Sequence, residues 1–408
     1  MTAPTVNRER LVATAVDLVS ISSPTGFEQP VGEYVREVFR SLGLQVLWQE
    51  VEEGRPNVVG TLEGTGGGKS LMFNGHMDTS YSGREPWLLG IAGFQPQGFV
   101  EDDHVWGLGI SNMKGALACY IETVRALQDA GVRLRGDVLV ACVSGEIEKA
   151  QWGEEYAGRE WRGYSAGSRF LASHGGIADM CILGEPTSNA IVTGHYGAVW
   201  LRISTHGPFM HTAYTAGRLE ENSIVRMHDV IAAVREWIPE WQERTTYAGE
   251  QGIVNLGCVN GGFPWRASRT PERTDLFVDA RVPPTLPMTD AVAELKAMAR
   301  GLRDRFPEHG IEVEVYVTAP GSEIAEEHPL VQSLDRCHTE VFGSPPPRAT
   351  VRWFSDASSL TRYGIQSVNY GMSSGAHGAE GENLAIDGLV QTTEVYVRTA
   401  MDLCGVAS

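Results

Sequence analysis

Three short apolar runs, each delivering imidazole or carboxylate side chains, limit the folds open to this chain. Residues 70–75 end at Gly75 and deliver His76 and Asp78. Residues 137–144 lead into Gly145 and deliver Glu146 and Glu148. Residues 179–183 lead into Gly184 and deliver Glu185. Runs of strand length that are apolar throughout are buried on both faces, as strands inside a parallel sheet are. Polar residues just beyond such strands gather at one edge, where open α/β sheets place their chemistry. His76-x-Asp78 taken alone is short and reads as well as a polar surface turn. The other two strands supply the partners that give it weight.

The segments between these runs fit a strand–helix–strand rhythm. Residues 7–21 and 28–42 carry apolar residues at helical spacing, the second stopped by Gly43. Residues 44–48 and 57–63 read as strands, and residues 113–130 as a buried helix. Residues 80–103, with Gly83, Pro86, Gly90, Gly93, Pro96 and Gly98, read as one long loop, a length often tied to function. After Gly197 the pattern changes. Strand 199–205, helix 221–237, strands 252–259 and 275–282, helix 289–305 and strand 311–317 follow in β-α-β-β-α-β order, which is ferredoxin-like. The expectation is an inserted domain at 197–318 between two parts of a larger one, 1–196 and 319–408. The chain resumes with helix 330–342, the stretch 351–357, strand 367–371, a Gly/Ser loop carrying His377, and helix 389–403.

Composition narrows the function classes. A chain of 408 residues is expected to hold two domains. With 51 acidic against 33 basic residues the net charge is −18, which argues against nucleic acid or an anionic membrane surface as partner. Six scattered cysteines without a C-x-x-C pair imply no disulfide framework and suit a reducing cytoplasm. No apolar run reaches the roughly 18 residues of a spanning helix, and residues 1–10 do not read as a signal peptide.

Six motifs then recur in order: Gly75-His76-Met77-Asp78, Gly107-x-Gly109-x-x-Asn112-Met113-Lys114-Gly115, Gly145-Glu146, Gly184-Glu185-Pro186-Thr187, Gly207-x-x-x-His211, and a late His377. Over nearly the whole chain this resembles the family of co-catalytic zinc amidohydrolases and exopeptidases, which includes acetylornithine deacetylase, succinyl-diaminopimelate desuccinylase, aminoacylase and glutamate carboxypeptidase. The resemblance implies an α/β fold: a zinc-exopeptidase-like mixed sheet flanked by helices, with the inserted ferredoxin-like α+β domain as lid and dimerisation unit. It implies His76 and Glu185 as ligands of one metal, His377 of a second, and Asp78 as the residue that steers the His76 ring. Glu146 would be the general base, and His211 would stabilise the oxyanion, often across a dimer interface. Two cations about 3.5–4 Å apart polarise the amide carbonyl and activate water, and a nearby carboxylate moves the proton to the leaving amine.

The departures from that pattern are specific. The metal-bridging Asp of the family is Asn112 here, and the second residue of its Glu-Glu pair is Ile147. Two anionic ligands are missing together, and charge is what holds two divalent cations close. Glu148 would face the same side as Glu146 in an extended segment. The expectation is therefore a divalent metal, zinc by the resemblance, held singly or weakly on His76, Asn112 and Glu185, with a metal-free site left open. Arg266 replaces the Asn of the family's lid motif; with Asn222 and Arg281 it is the expected substrate-binding set, since a guanidinium fork suits a carboxylate.

The expected activity is hydrolysis of the amide of an N-acyl amino acid or small peptide-like conjugate, in a cytoplasmic homodimer. Two alternatives stand beside it: metal-independent acid–base chemistry such as elimination on the same scaffold, and a non-catalytic binding protein.

Overall fold

The computed structural model of the chain describes residues 3–150, 162–373 and 380–407. By its internal contacts the chain divides into two units. One comprises residues 1–194, 323–349 and 355–408; the other comprises residues 195–322 and 350–354. The second unit thus begins two residues before the expected 197, ends four after the expected 318, and takes in one further short segment.

In the first unit the strands Leu71–His76, Val138–Val143 and Met180–Leu183 lie side by side and parallel, every residue of them buried. They belong to a mixed sheet of nine strands among the described residues. On one side it continues antiparallel through Arg55–Leu62 to Gln45–Glu52. On the other, Gln366–Asn369 pairs parallel with Met180–Leu183. Register sets the site. Asn74 pairs with Leu183, so two residues further on His76 and Glu185 come level; His76 pairs with Val143, so Glu146 lies just beyond the same edge.

The helix Gly115–Asp129 packs on this sheet with its apolar face almost wholly buried. Its Tyr120 hydroxyl donates to the Asn74 carbonyl (2.9 Å) and accepts from the Gly184 N–H (2.6 Å), tying the carboxyl ends of two strands together. The stretch expected to be irregular up to Asp103 instead enters a hairpin, Phe99–Glu101 with His104–Trp106. Its turn is Asp102-Asp103, both at positive φ (47° and 58°), as the type I′ two-residue hairpin turn requires.

The second unit is an antiparallel sheet in the order Val254–Gly261, Arg273–Val282, Gly197–His206, Glu312–Ala319. With helices Ser223–Arg244 and Met288–Arg305 this is the expected ferredoxin-like arrangement. Alternate residues of Arg273–Val282 are buried, so one face of the sheet carries the core. The first helix runs seven residues past its expected end and holds Pro239. Buried Trp241 anchors that last stretch, its indole N–H donating to the Arg281 carbonyl at 3.3 Å.

Candidate active site

His76, Glu146 and Glu185 converge at the carboxyl edge of the parallel strands. Each is buried, and each offers a ligand atom within 4.8 Å of the other two. The His76 ring is held at both nitrogens. Nδ1 lies 2.8 Å from the Asp78 backbone carbonyl, and Nε2 lies 2.9 Å from Asn112 Oδ1. Nε2 is also 3.8 Å from Glu146.

The Asp78 carboxylate is not the nearest group to that ring. It lies 3.6 Å from Nδ1, and its hydrogen bonds go elsewhere. Oδ1 accepts from the Gly145 and Glu146 N–H groups (3.0 and 3.2 Å). Oδ2 accepts from the Ile147 N–H (3.3 Å) and the Thr25 hydroxyl (2.9 Å). Gly145 sits at φ +70°, and a Cβ there would come within 2.5 Å of the Arg162 carbonyl and of Arg55 Nη2, so only glycine makes this turn. Beneath it lies a fully buried ion pair: Arg55 grips Glu28 through Nε (2.9 Å) and Nη2 (2.7 Å), and its Nη1 bonds Glu52 and the Arg162 carbonyl.

A fourth carboxylate belongs to this edge. Asp356 is buried, bonded by the hydroxyls of Ser165 and Ser168 (the latter at 2.8 Å), and interacts electrostatically with His76, Glu146 and Glu185. Sequence reasoning passed over it. The available signal was an acidic residue between Ser355 and a run of small and apolar residues, 357–360, the same polar-next-to-buried pattern as at the other edges.

Crowding of carboxylates sets the electrostatics. Burial, then Glu185 and Asp356, lift Glu146 well above the usual carboxylate range. Burial pushes Glu185 up to about 7 against the opposing pull of His76. Burial also raises Asp356, opposed by its two serine donors. For His76, burial disfavours the imidazolium, but Glu185, Asp78, Asn112 and Asp356 outweigh it and raise the ring above its ordinary value.

The Asn112 segment is fixed from behind. Glu382 accepts from the Gly109 and Ser111 N–H groups (3.1 and 3.2 Å), and buried Lys114 donates to the Ile21 carbonyl at 2.6 Å. Burial, partly offset by Glu382 and Asp78, lowers Lys114 to about 7.

One nitrogen and two carboxylates within reach of a common point, with the Asn112 oxygen beside the ring, form a donor set suited to a divalent cation. The positions after Glu146 that were expected to serve a second cation offer less. Ile147 is buried and offers no ligand atom, and Glu148 does not replace it: the chain bends at 147–148 instead of staying extended, and Glu148 is outside the converging group of described residues. His377 lies outside the described residues.

The remaining expected residues belong to the second unit. His211 starts a short 3-10 turn, its Nδ1 accepting from the Ala213 N–H at 3.2 Å, and its backbone bridges to Arg269. Arg266 closes the turn Pro264–Arg266 and is exposed beside Trp265, which is 78% exposed. Asn222 caps the helix Ser223–Arg244, its side-chain oxygen accepting from the Ile224 N–H at 2.9 Å. Arg281 is held by Asp279 at 2.7 and 3.1 Å. Two of the three expected substrate contacts thus already have structural partners.

A buried imidazole–carboxylate cluster at the carboxyl edge of a mixed sheet, in a chain with a ferredoxin-like insertion, is a setting suited to metal-assisted hydrolysis. A model of Peptidase family M20/M25/M40 matches residues 72–402, and the chain belongs to that family of amide-bond hydrolases. It is 28% identical to an acetylornithine deacetylase of Vibrio vulnificus over 84% of this chain and 83% of that one. It is 25% identical to the N-formyl-4-amino-5-aminomethyl-2-methylpyrimidine deformylase of Bacillus subtilis, over 98% and 95%. A tripeptidase structure from Staphylococcus aureus shares the fold with a TM-score of 0.75 at 20% identity, covering 98% of this chain and 99% of that one.

Proposed function

We propose that this amidohydrolase cleaves the amide of an N-acyl amino acid or a small peptide-like conjugate, with Glu146 as general base and one divalent cation at the site. The observation that carries this reading is the convergence of His76, Glu146 and Glu185 within 4.8 Å of one another. His76 and Glu185, with the Asn112 oxygen, are the residues to hold the cation. Bound there, a divalent cation polarises the scissile carbonyl and lowers the pKa of the attacking water.

The chain's own groups do the rest. Glu146, beside the ring and the second carboxylate, accepts the water proton and hands it to the leaving nitrogen. His211 donates to the developing oxyanion. Arg266, whose guanidinium has no ion-pair partner among the described residues, receives the substrate carboxylate. Named relatives that remove acetyl or formyl groups favour a small acyl group.

A homodimer fits the exposed edge strand Val254–Gly261 with Val259 and the nearby Phe263 and Trp265, since unpaired edges and apolar patches invite a partner. The described cysteines are free and five of the six are buried, in keeping with a reducing cytoplasm. No helix among the described residues is long and apolar enough to cross a membrane.

The test is metal content by mass spectrometry alongside hydrolysis of a panel of N-formyl, N-acetyl and N-succinyl amino acids. About one zinc per chain and loss of turnover in chelator are expected, and Asn112→Asp combined with Ile147→Glu raises the content toward two. Full activity with no metal overturns the metallohydrolase form and favours metal-independent acid–base chemistry.

A further inference from the structure

The Asp78 carboxylate faces the chain that carries the base, not the ring beside it in sequence. Three successive backbone N–H groups, those of Gly145, Glu146 and Ile147, converge on its two oxygens at 3.0, 3.2 and 3.3 Å, and Thr25 supplies a fourth donor at 2.9 Å. The His76 ring takes its nearer contact from the Asp78 backbone carbonyl, which any residue at position 78 would provide. A run of amides curled around an anion is a nest, and the anion in it fixes the path of the backbone. All of these groups are buried, so water cannot replace the carboxylate cheaply.

We propose that Asp78 is a positioning residue for Glu146: its carboxylate anchors residues 145–147 and so sets where the base stands over the sheet edge. This rests on the reading of Glu146 as base and adds the device that aims it. It separates Asp78 from ring steering, which would instead show itself in metal affinity.

The experiment uses the full chain with Asp78→Asn and Thr25→Val. Amide hydrogen exchange is followed by mass spectrometry on the peptide spanning residues 145–147, zinc affinity is measured by titration with zinc chloride alone, and kcat and KM are read at saturating zinc. In Asp78→Asn, exchange at 145–147 should quicken about tenfold or more. Zinc affinity should hold within about threefold, well short of the 10–100-fold loss typical when a ligand's supporting group is removed. kcat should fall while KM holds. Unchanged exchange together with zinc affinity lowered about 10–100-fold would instead assign Asp78 to ring steering and overturn the proposal. Thr25→Val leaves the carboxylate charged and should move exchange the same way by a smaller factor. If Asp78→Asn does not fold, unchanged exchange in Thr25→Val overturns the proposal by itself. A wild type that hydrolyses no amide would sink the assignment of Glu146 as base, and the exchange and zinc readings would still decide what Asp78 holds.

Discussion

At the residue scale the site is a contest between burial and charge. Four carboxylates, those of Asp78, Glu146, Glu185 and Asp356, share a buried edge with one imidazole, so each proton or cation there is held by several groups at once. Glu146 is the residue whose loss is cleanest to interpret. Glu146→Gln keeps the shape and removes the base, so kcat is expected to fall about 10²–10⁴-fold with KM little changed, measured on the best substrate of the acyl panel. A loss confined to KM would contradict the assignment. Glu185 gives a pH signature. In metal-free protein its carboxyl is raised to about 7, mainly by burial, while the unfolded chain ionises near an ordinary glutamate. The folded state therefore binds the extra proton in that window. The stabilisation is complete below the unfolded pKa and is lost as pH rises through about 7, with an upper magnitude of about 3 kcal/mol. Raised His76 has the same sign. The Tm of chelator-treated protein should fall between pH 5 and 8, and added zinc should shrink that fall because a cation favours the ionised carboxylate. A Tm that rises with pH across this window would contradict the prediction.

At the element scale Glu146 stands on one turn, and that turn stands on a buried ion pair. Gly145 reaches its left-handed conformation against Arg55 Nη2, and Arg55 is held by Glu28 with neither side chain exposed. Removing one partner strands the other as an unpaired buried charge. Arg55→Met is therefore expected to destabilise the protein by about 3–5 kcal/mol in urea unfolding, and Arg55→Met with Glu28→Gln to recover part of it. A loss below about 1 kcal/mol would mean that the pair is solvated after all. This layer was not legible in the sequence. The strands were, because their apolar runs stop abruptly at Gly75, Gly145 and Gly184, and one sheet edge collects whatever follows such stops. Arg55 and Glu28 are 27 residues apart in unrelated patterns, and nothing local announces a pair. Asp356 meets Ser165 across 191 residues. Tyr120 reads as one more apolar helix residue until its hydroxyl is found between Asn74 and Gly184. Ligand types follow from local chemistry; the supports that aim them follow from tertiary contact, which a single sequence does not display.

At the scale of the whole molecule, the residues proposed as ligands and base and the one proposed as oxyanion donor belong to different units: His76, Glu146 and Glu185 to one, His211 to the other. If His211 serves the site of a partner subunit, neither subunit is complete alone, and the dimer is a condition of turnover. The exposed strand Val254–Gly261 is the edge on which such a dimer would close, because among the described residues its backbone pairs on one side only and Val259 is 54% exposed. Subunit mixing then has a definite outcome. Glu146→Gln and His211→Ala are each nearly inactive alone. Random reassortment makes half of the dimers mixed, and each mixed dimer regains one site that has both an intact base and an intact partner histidine. Activity should therefore recover to about one quarter of wild type after mixing and brief partial dissociation. Val259→Lys, which places a charge on the edge strand, should shift sedimentation toward the single-chain mass and abolish that recovery. Mixing that restores nothing while both variants remain dimeric would show that His211 acts within its own subunit.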